Sequence, residues 1–191
     1  MTLSLLVLFA YFFGAVPFGL LLGRTFADVD VRSLGSGNIG ATNVNRVLGR
    51  KLGVATLLCD ILKSLFPCLL ARLFLKEDFQ VALVGLAAVV GHCFPIYLRF
   101  KGGKGVASAF GSFLVMAPFS AVVAILVWVI AFRISKVSAM GALTAAGVIP
   151  ILIYFEKSAS VALVSGAISF IVIVRHRENI ERLRKSADLK T

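Results

Sequence analysis

Val106 to Phe132 contains no charged residue. A helix needs about 20 apolar residues to cross a bilayer, so this run is too long for one comfortable span. Pro118 falls near its middle, where a proline interrupts a helix. The run is therefore expected to form two short or tilted helices, about 105–116 and 119–132, with a tight turn at Ala117-Pro118. Charge-poor runs recur at Leu3–Leu22, Leu52–Leu75, Phe79–Leu98, Ala139–Phe155 and Ser158–Val174. Only 15% of residues are charged, against about 25% in soluble domains. The expected fold is an all-α polytopic membrane protein with seven transmembrane helices in one domain, 1–191. The first run lacks a basic stretch before it and is read as a span, not a cleavable signal.

The formal charge of +11 invites a nucleic-acid reading, but the order of the cations explains it otherwise. With seven spans, loops on one side and the tail hold 16 Lys and Arg, and loops on the other hold Lys76 and Lys157. Cytoplasmic loops collect Lys and Arg, so the N-terminus is expected outside and the C-terminus in the cytoplasm. No nucleic-acid partner is expected; the lipid bilayer is. Cys59, Cys68 and Cys93 lack metal-ligand spacing and are odd in number. They are read as small packing residues, with no metal and no cofactor.

Three polar clusters fall on the cation-rich side. The first lies in a polar stretch from about Ala27 to Lys51, where Gly35–Arg46 reads GSGNIGATNVNR. Glycines admit positive φ and close backbone approach, and successive N–H groups in such a loop can nest an anion. Ser36, Asn38, Thr42 and Asn43 add neutral polar groups, and Arg46 adds a fork suited to phosphate. An ordinary polar inter-helix loop is the competing reading.

The second cluster, Arg99–Gly105, reads RFKGGKG. It lacks Walker spacing, but Gly102, Gly103 and Lys104 immediately precede an apolar run. A helix start there would offer N–H groups and its dipole to an anion. In the third, His176, Asn179 and Arg182 fall at i, i+3 and i+6, along one helical face. Ser138 lies in a smaller loop on the same side.

Asp60 and Lys63 sit inside the second apolar run at i,i+3, on one helix face. Intramembrane charges are expensive and usually face the bundle interior. A structural ion pair and an orienting role both stay open for them, and His92 is read in the same way. There is no H-E-x-x-H pair and no G-x-S-x-G elbow. Cations, amides and hydroxyls with few carboxylates suit a ligand bearing one or two phosphates, and the helices suit an acyl tail. A transporter for an organic phosphate would use similar cradles but should show repeats with broken helices. No half-to-half repeat is visible.

The strings GSGNIGATNVNR, GHCFPIYLRFKGGKGVA and HRENIERL resemble the three signature motifs of the bacterial acyl-phosphate:glycerol-3-phosphate acyltransferases, the PlsY family. Asp60-x-x-Lys63 is similar too, with Ser64 where glycine is expected and Gly141 where a small hydroxyl residue is expected. The resemblance implies seven membrane helices in the bacterial inner membrane, with the site facing the cytoplasm. It also implies acyl transfer from acyl phosphate to the 1-hydroxyl of glycerol 3-phosphate, giving lysophosphatidic acid. A functional link to an enzyme that makes acyl phosphate follows.

By matching motifs, the resemblance makes Ser36, Asn38, Thr42, Asn43, Arg46, Lys104, His176, Asn179 and Arg182 the residues around the substrates. Lys104, His176 and Ser36 are expected to act in catalysis. Arg46, Asn38, Thr42, Asn43, Gly102, Gly103, Asn179, Arg182 and Ser138 are expected to bind substrate phosphate. Asp60, Lys63 and His92 are expected to support or orient the site.

Overall fold

The structure, a computed structural model, describes residues 2–188, with side chains through Lys185. Lys190, counted among the tail cations, lies outside the described residues. The helices are α1 (Leu3–Gly14), α2 (Phe18–Ala27), α3 (Ala41–Leu48), α4 (Arg50–Phe74), α5 (Asp78–Cys93), α6 (Val106–Met116), α7 (Pro118–Ser135), α8 (Ser138–Glu156), α9 (Ala159–Arg175) and α10 (Arg177–Asp188). Among the described residues there is no strand.

Five stretches are long and apolar enough to cross a membrane: Leu3–Ala27, Arg50–Phe74, Asp78–Leu98, Pro118–Ser135 and Ser138–Glu156. α9, with 17 residues, passes that measure only together with α10, across a 53° bend. α6 has 11 residues. Every apolar run in the sequence is helical, but two of the expected seven spans fall short of this length measure.

Backbone chemistry accounts for the departures from the expected helix limits. The first run is two helices, because Pro17 breaks it between Gly14 and Phe18. The third ends as helix at Cys93, ahead of Pro95, and continues as a 3₁₀ turn over Ile96–Leu98. Pro118 starts a helix, as a residue without a backbone N–H can, and α7 reaches Ser135 instead of 132. The polar stretch holds its own short helix, α3.

The bundle wears its apolar surface outward. Leu5, Leu8, Leu62, Phe66, Leu163 and Phe170 are exposed, whereas Asp60, Lys63, His92, Ser108 and Ser112 are buried. Lipid satisfies the first group and helix neighbours must satisfy the second. Helices approach closely where side chains vanish: a Cβ on Gly91 would lie 2.2 Å from the Tyr11 carbonyl oxygen, and one on Gly14 would lie 2.3 Å from that of Ala88. These two glycines let α1 and α5 touch backbone to backbone.

Three turns meet at one end of the bundle. Lys157, after α8, lies 3.5 Å from Asp78 at the start of α5, and Arg72 pairs with the same carboxylate. Glu156 accepts N–H bonds from Ser120 at 2.6 Å and Phe119 at 3.3 Å. It caps the orphan donors that open α7. The polar clusters lie away from this end. A small core of Leu20, Val31, Ile39 and Val44 seats the first cluster on α2 and α3.

Candidate active site

The first cluster is ordered by one amide. Asn43 is 2% exposed; its Oδ1 accepts from the Ser36 N–H at 2.8 Å. Its Nδ2 donates to the carbonyls of Val31 at 3.0 Å and Leu34 at 3.1 Å. Asn43 therefore spends both donors and an acceptor inside the protein, shaping the loop expected to hold phosphate. Asn38 accepts from the Gly40 N–H at 2.9 Å, an Asx turn ahead of α3. Ser36 is half-buried, and Thr42 and Arg46 are exposed. Gly35 has φ of 61°, and the Arg46 stem passes 3.7 Å from where its Cβ would stand.

In the second cluster Gly105 (φ 84°) opens α6 from the left-handed region. Gly103 is needed for a different reason than positive φ: a Cβ there would lie 2.1 Å from Nε2 of His92. Its N–H donates to the His92 carbonyl at 3.1 Å, so that donor is already used. His92 is buried 3.6 Å from Asp60. Asp60 pairs with Lys63 at 2.8 Å, and Lys63 donates to the Val16 carbonyl at 2.9 Å. The buried pair thus closes the α1–α2 break at Pro17 and, through His92, supports the glycine loop.

The third cluster meets the second. Lys104 Nζ donates to Asn179 Oδ1. Arg175 donates to the carbonyls of Gly103 at 3.0 Å and Gly102 at 2.7 Å. His176, 4% exposed, sits between α9 and α10, its Nδ1 2.7 Å from the Val172 carbonyl. A carbonyl only accepts, so Nδ1 carries the proton and neutral His176 keeps its lone pair on Nε2. Arg182 Nε donates to the Glu178 carbonyl at 3.2 Å.

Electrostatics joins all three. Burial holds Lys104 below the usual lysine range; Arg182 lowers it further, Glu178 opposes, and Arg175 and Arg46 add to the lowering. His176 is also lowered, by burial and then by Lys104, against the raising bond to Val172. The structure therefore gathers Arg46, Lys104, His176, Asn179 and Arg182. Among the described residues no hydrogen bond ties Ser138 to them; it opens α8 instead.

A narrow apolar groove adjoins the polar site between α6, α7, α8 and α9. Val106, Phe110, Phe113, Trp128, Ile149 and Val172 line it. It begins one residue after Gly105 and four before His176. A polar, cationic end thus opens onto an apolar slot, the form of an acylated phosphate.

The family model for glycerol-3-phosphate acyltransferase matches residues 4–186. The chain belongs to this family. A glycerol-3-phosphate acyltransferase of Syntrophotalea carbinolica is 48% identical, over 96% of this chain and 95% of its own. One of Geobacter sulfurreducens is 47% identical, over 94% and 92%. Among solved structures, PlsY (YgiH), an integral membrane glycerol 3-phosphate acyltransferase in its glycerol 3-phosphate form, has a TM-score of 0.91 at 37% identity. That match covers 96% of this chain and 92% of that one. The lysophosphatidic acid form of PlsY has a TM-score of 0.89 at 36% identity.

Gly141, where the resemblance led to the expectation of a small hydroxyl residue, is closely packed. A Cβ there would lie 2.7 Å from the Trp128 carbonyl oxygen, so α8 rests against α7 where a hydroxyl was expected. Ser64 is buried, and among the described residues its hydroxyl has no hydrogen-bond partner. Sequence reasoning missed Arg175 as part of the site, because an arginine ending an apolar run reads as a span terminator. It missed the groove because its lining is scattered over four helices at helical spacing, which also describes any packed core.

Proposed function

We propose that this membrane enzyme transfers a fatty acyl group from acyl phosphate to the 1-hydroxyl of glycerol 3-phosphate. Lysophosphatidic acid and inorganic phosphate are the products. The observation that carries this reading is the junction of the cation cluster around Lys104 with the apolar groove. Arg46, Lys104, Asn179 and Arg182 hold the two anionic groups, with Ser36, Asn38 and Thr42 lining the first loop. The glycines keep Lys104 close to the bound phosphate, and the acyl chain lies along Val106 and Val172. Asn43, Asp60, Lys63 and His92 position these groups without touching substrate. Ser138, at the start of α8, adds a hydroxyl for substrate phosphate.

Acyl phosphate is a mixed anhydride, so no covalent enzyme intermediate is needed. The hydroxyl oxygen attacks the carbonyl carbon, and the bond from that carbon to the phosphate oxygen breaks. A phosphate oxygen takes the hydroxyl proton, and hydrogen phosphate leaves. The protein's work is alignment of the two substrates and stabilisation of developing charge. Neutral His176, with its Nε2 lone pair, accepts from the 2-hydroxyl of glycerol 3-phosphate and so orients the attacking 1-hydroxyl. Lys104 meets the charge on the departing phosphate.

The whole chain, 1–191, acts as one domain with seven spans, counting α6 and α9 as crossings. The N-terminus is outside, and the site faces the cytoplasm across the bacterial inner membrane. The meeting of the turns at Lys76–Asp78, Ala117-Pro118 and Glu156–Ser158 at one end supports that alternation. A site of this kind depends on an enzyme that supplies acyl phosphate. The test incubates purified protein in detergent with labelled glycerol 3-phosphate and either acyl phosphate or an acyl thioester. Label should enter an extractable lipid with acyl phosphate. Label entering only from the thioester, or not at all, contradicts the reading.

A further inference from the structure

Arg175 ends α9 half-buried, and among the described residues no carboxylate pairs with it. A cation withdrawn from water needs compensation. Arg175 finds it in the Gly103 and Gly102 carbonyls, at 3.0 and 2.7 Å, and in the Phe94 ring, whose centre is 5.4 Å away. Two successive carbonyls are therefore held on one side by one planar fork.

In a trans peptide the carbonyl and the next residue's N–H point in opposite directions. The Gly102 carbonyl shares its peptide with the Gly103 N–H, which is spent on the His92 carbonyl at 3.1 Å. The Gly103 carbonyl shares its peptide with the Lys104 N–H, and among the described residues that N–H has no protein acceptor. It belongs to the residue whose ammonium reaches Asn179. A guanidinium bonded to the oxygen of a peptide draws electron density along it and strengthens its N–H as a donor. The loop thus leaves the Lys104 N–H on the side of its peptide away from Arg175, which anchors that peptide from behind.

We propose that Arg175 is a positioning residue: it fixes and polarises the Gly103–Lys104 peptide so that the Lys104 N–H donates to the oxyanion formed at the acyl carbonyl. This rests on the acyl-transfer reading. The donor serves charge that appears only during reaction, so its loss falls on kcat.

Arg175→Lys keeps the charge but cannot bridge two carbonyls, and Arg175→Gln removes the charge. Both should lower kcat, by about 10- to 1,000-fold, with KM for each substrate within about twofold of wild type and the detergent melting profile retained. Added methylguanidinium should restore part of kcat in Arg175→Gln. Wild-type kcat in either variant, or a loss confined to KM, overturns the proposal. If neither variant folds, the backbone amide of Lys104 in ¹⁵N-labelled wild-type enzyme decides. Its resonance should move when a stable acyl phosphonate binds, and an unmoved resonance overturns the proposal. Failure of wild-type enzyme to acylate glycerol 3-phosphate sinks the acyl-transfer reading instead, whatever the Arg175 variants do.

Discussion

Lys104 is the residue on which the polar clusters converge, through its bond to Asn179 and the charges of Arg182, Glu178, Arg175 and Arg46. Removing such a donor to developing charge costs about 10²- to 10³-fold in rate, and Lys104→Ala should lose turnover on that scale while remaining folded. Near-normal turnover would refute the role given to its ammonium. Its depressed pKa also sets an alkaline limit. Activity that needs charged Lys104 falls as pH rises through that pKa, below the usual lysine range. Glu178 opposes the depression, so Glu178→Gln should shift the normalised alkaline limb of the rate profile to lower pH. A limb that stays in place or moves upward contradicts the assignment. Lys104, His176 and Asn179 were legible in the sequence because their types and spacing are unusual beside apolar runs. The work of Asn43 was not, since an amide that binds a ligand and one that ties a loop look alike until its partners at Val31, Leu34 and Ser36 are known.

At the scale of elements, the glycine loop is shaped by what lies beneath it. Gly103 faces the His92 ring, with Nε2 2.1 Å from a built Cβ, so Gly103→Ala should impair activity by displacing Lys104. If the ring is the cause, the substitution should cost much less in a His92→Ser background than in wild type, because contacting residues couple. Equal losses in the two backgrounds place the cause elsewhere. At the opposite end, Glu156 caps α7 through Ser120 and Phe119. Loss of a cap costs about 0.5–2 kcal/mol, and Glu156→Ala should lower thermal stability in detergent without altering the rate of the folded enzyme. An unchanged melting temperature would deny the cap its weight. The helices were legible from apolar runs and prolines. The exact break at Pro17 was less so, because its stability depends on Lys63 arriving from α4, 47 residues away in sequence.

For the whole molecule, six apolar runs, one of them split at Pro118, and the 16-to-2 division of cations lead to the proposed seven-span topology, which reporters can read. Fusions at Lys76, Ala117 and Lys157 should report outside, and those at Arg50, Lys101 and Lys136 cytoplasm; a cytoplasmic signal at Lys157 breaks the seven-span account. The expectation that three distant motifs share one membrane face came from the cation count, and that they form one site from their resemblance to a family, whereas the groove beside them needed the packing of α6 through α9. The decisive measurement follows purified enzyme, acyl phosphate and glycerol 3-phosphate together by ³¹P NMR. The account predicts that acyl phosphate disappears as inorganic phosphate and 1-acylglycerol 3-phosphate rise in equal amounts, and that neither product forms when glycerol 3-phosphate is omitted. Phosphate released at the same rate without glycerol 3-phosphate, or intact substrates in the mixture while glycerol 3-phosphate crosses proteoliposome membranes, would contradict it.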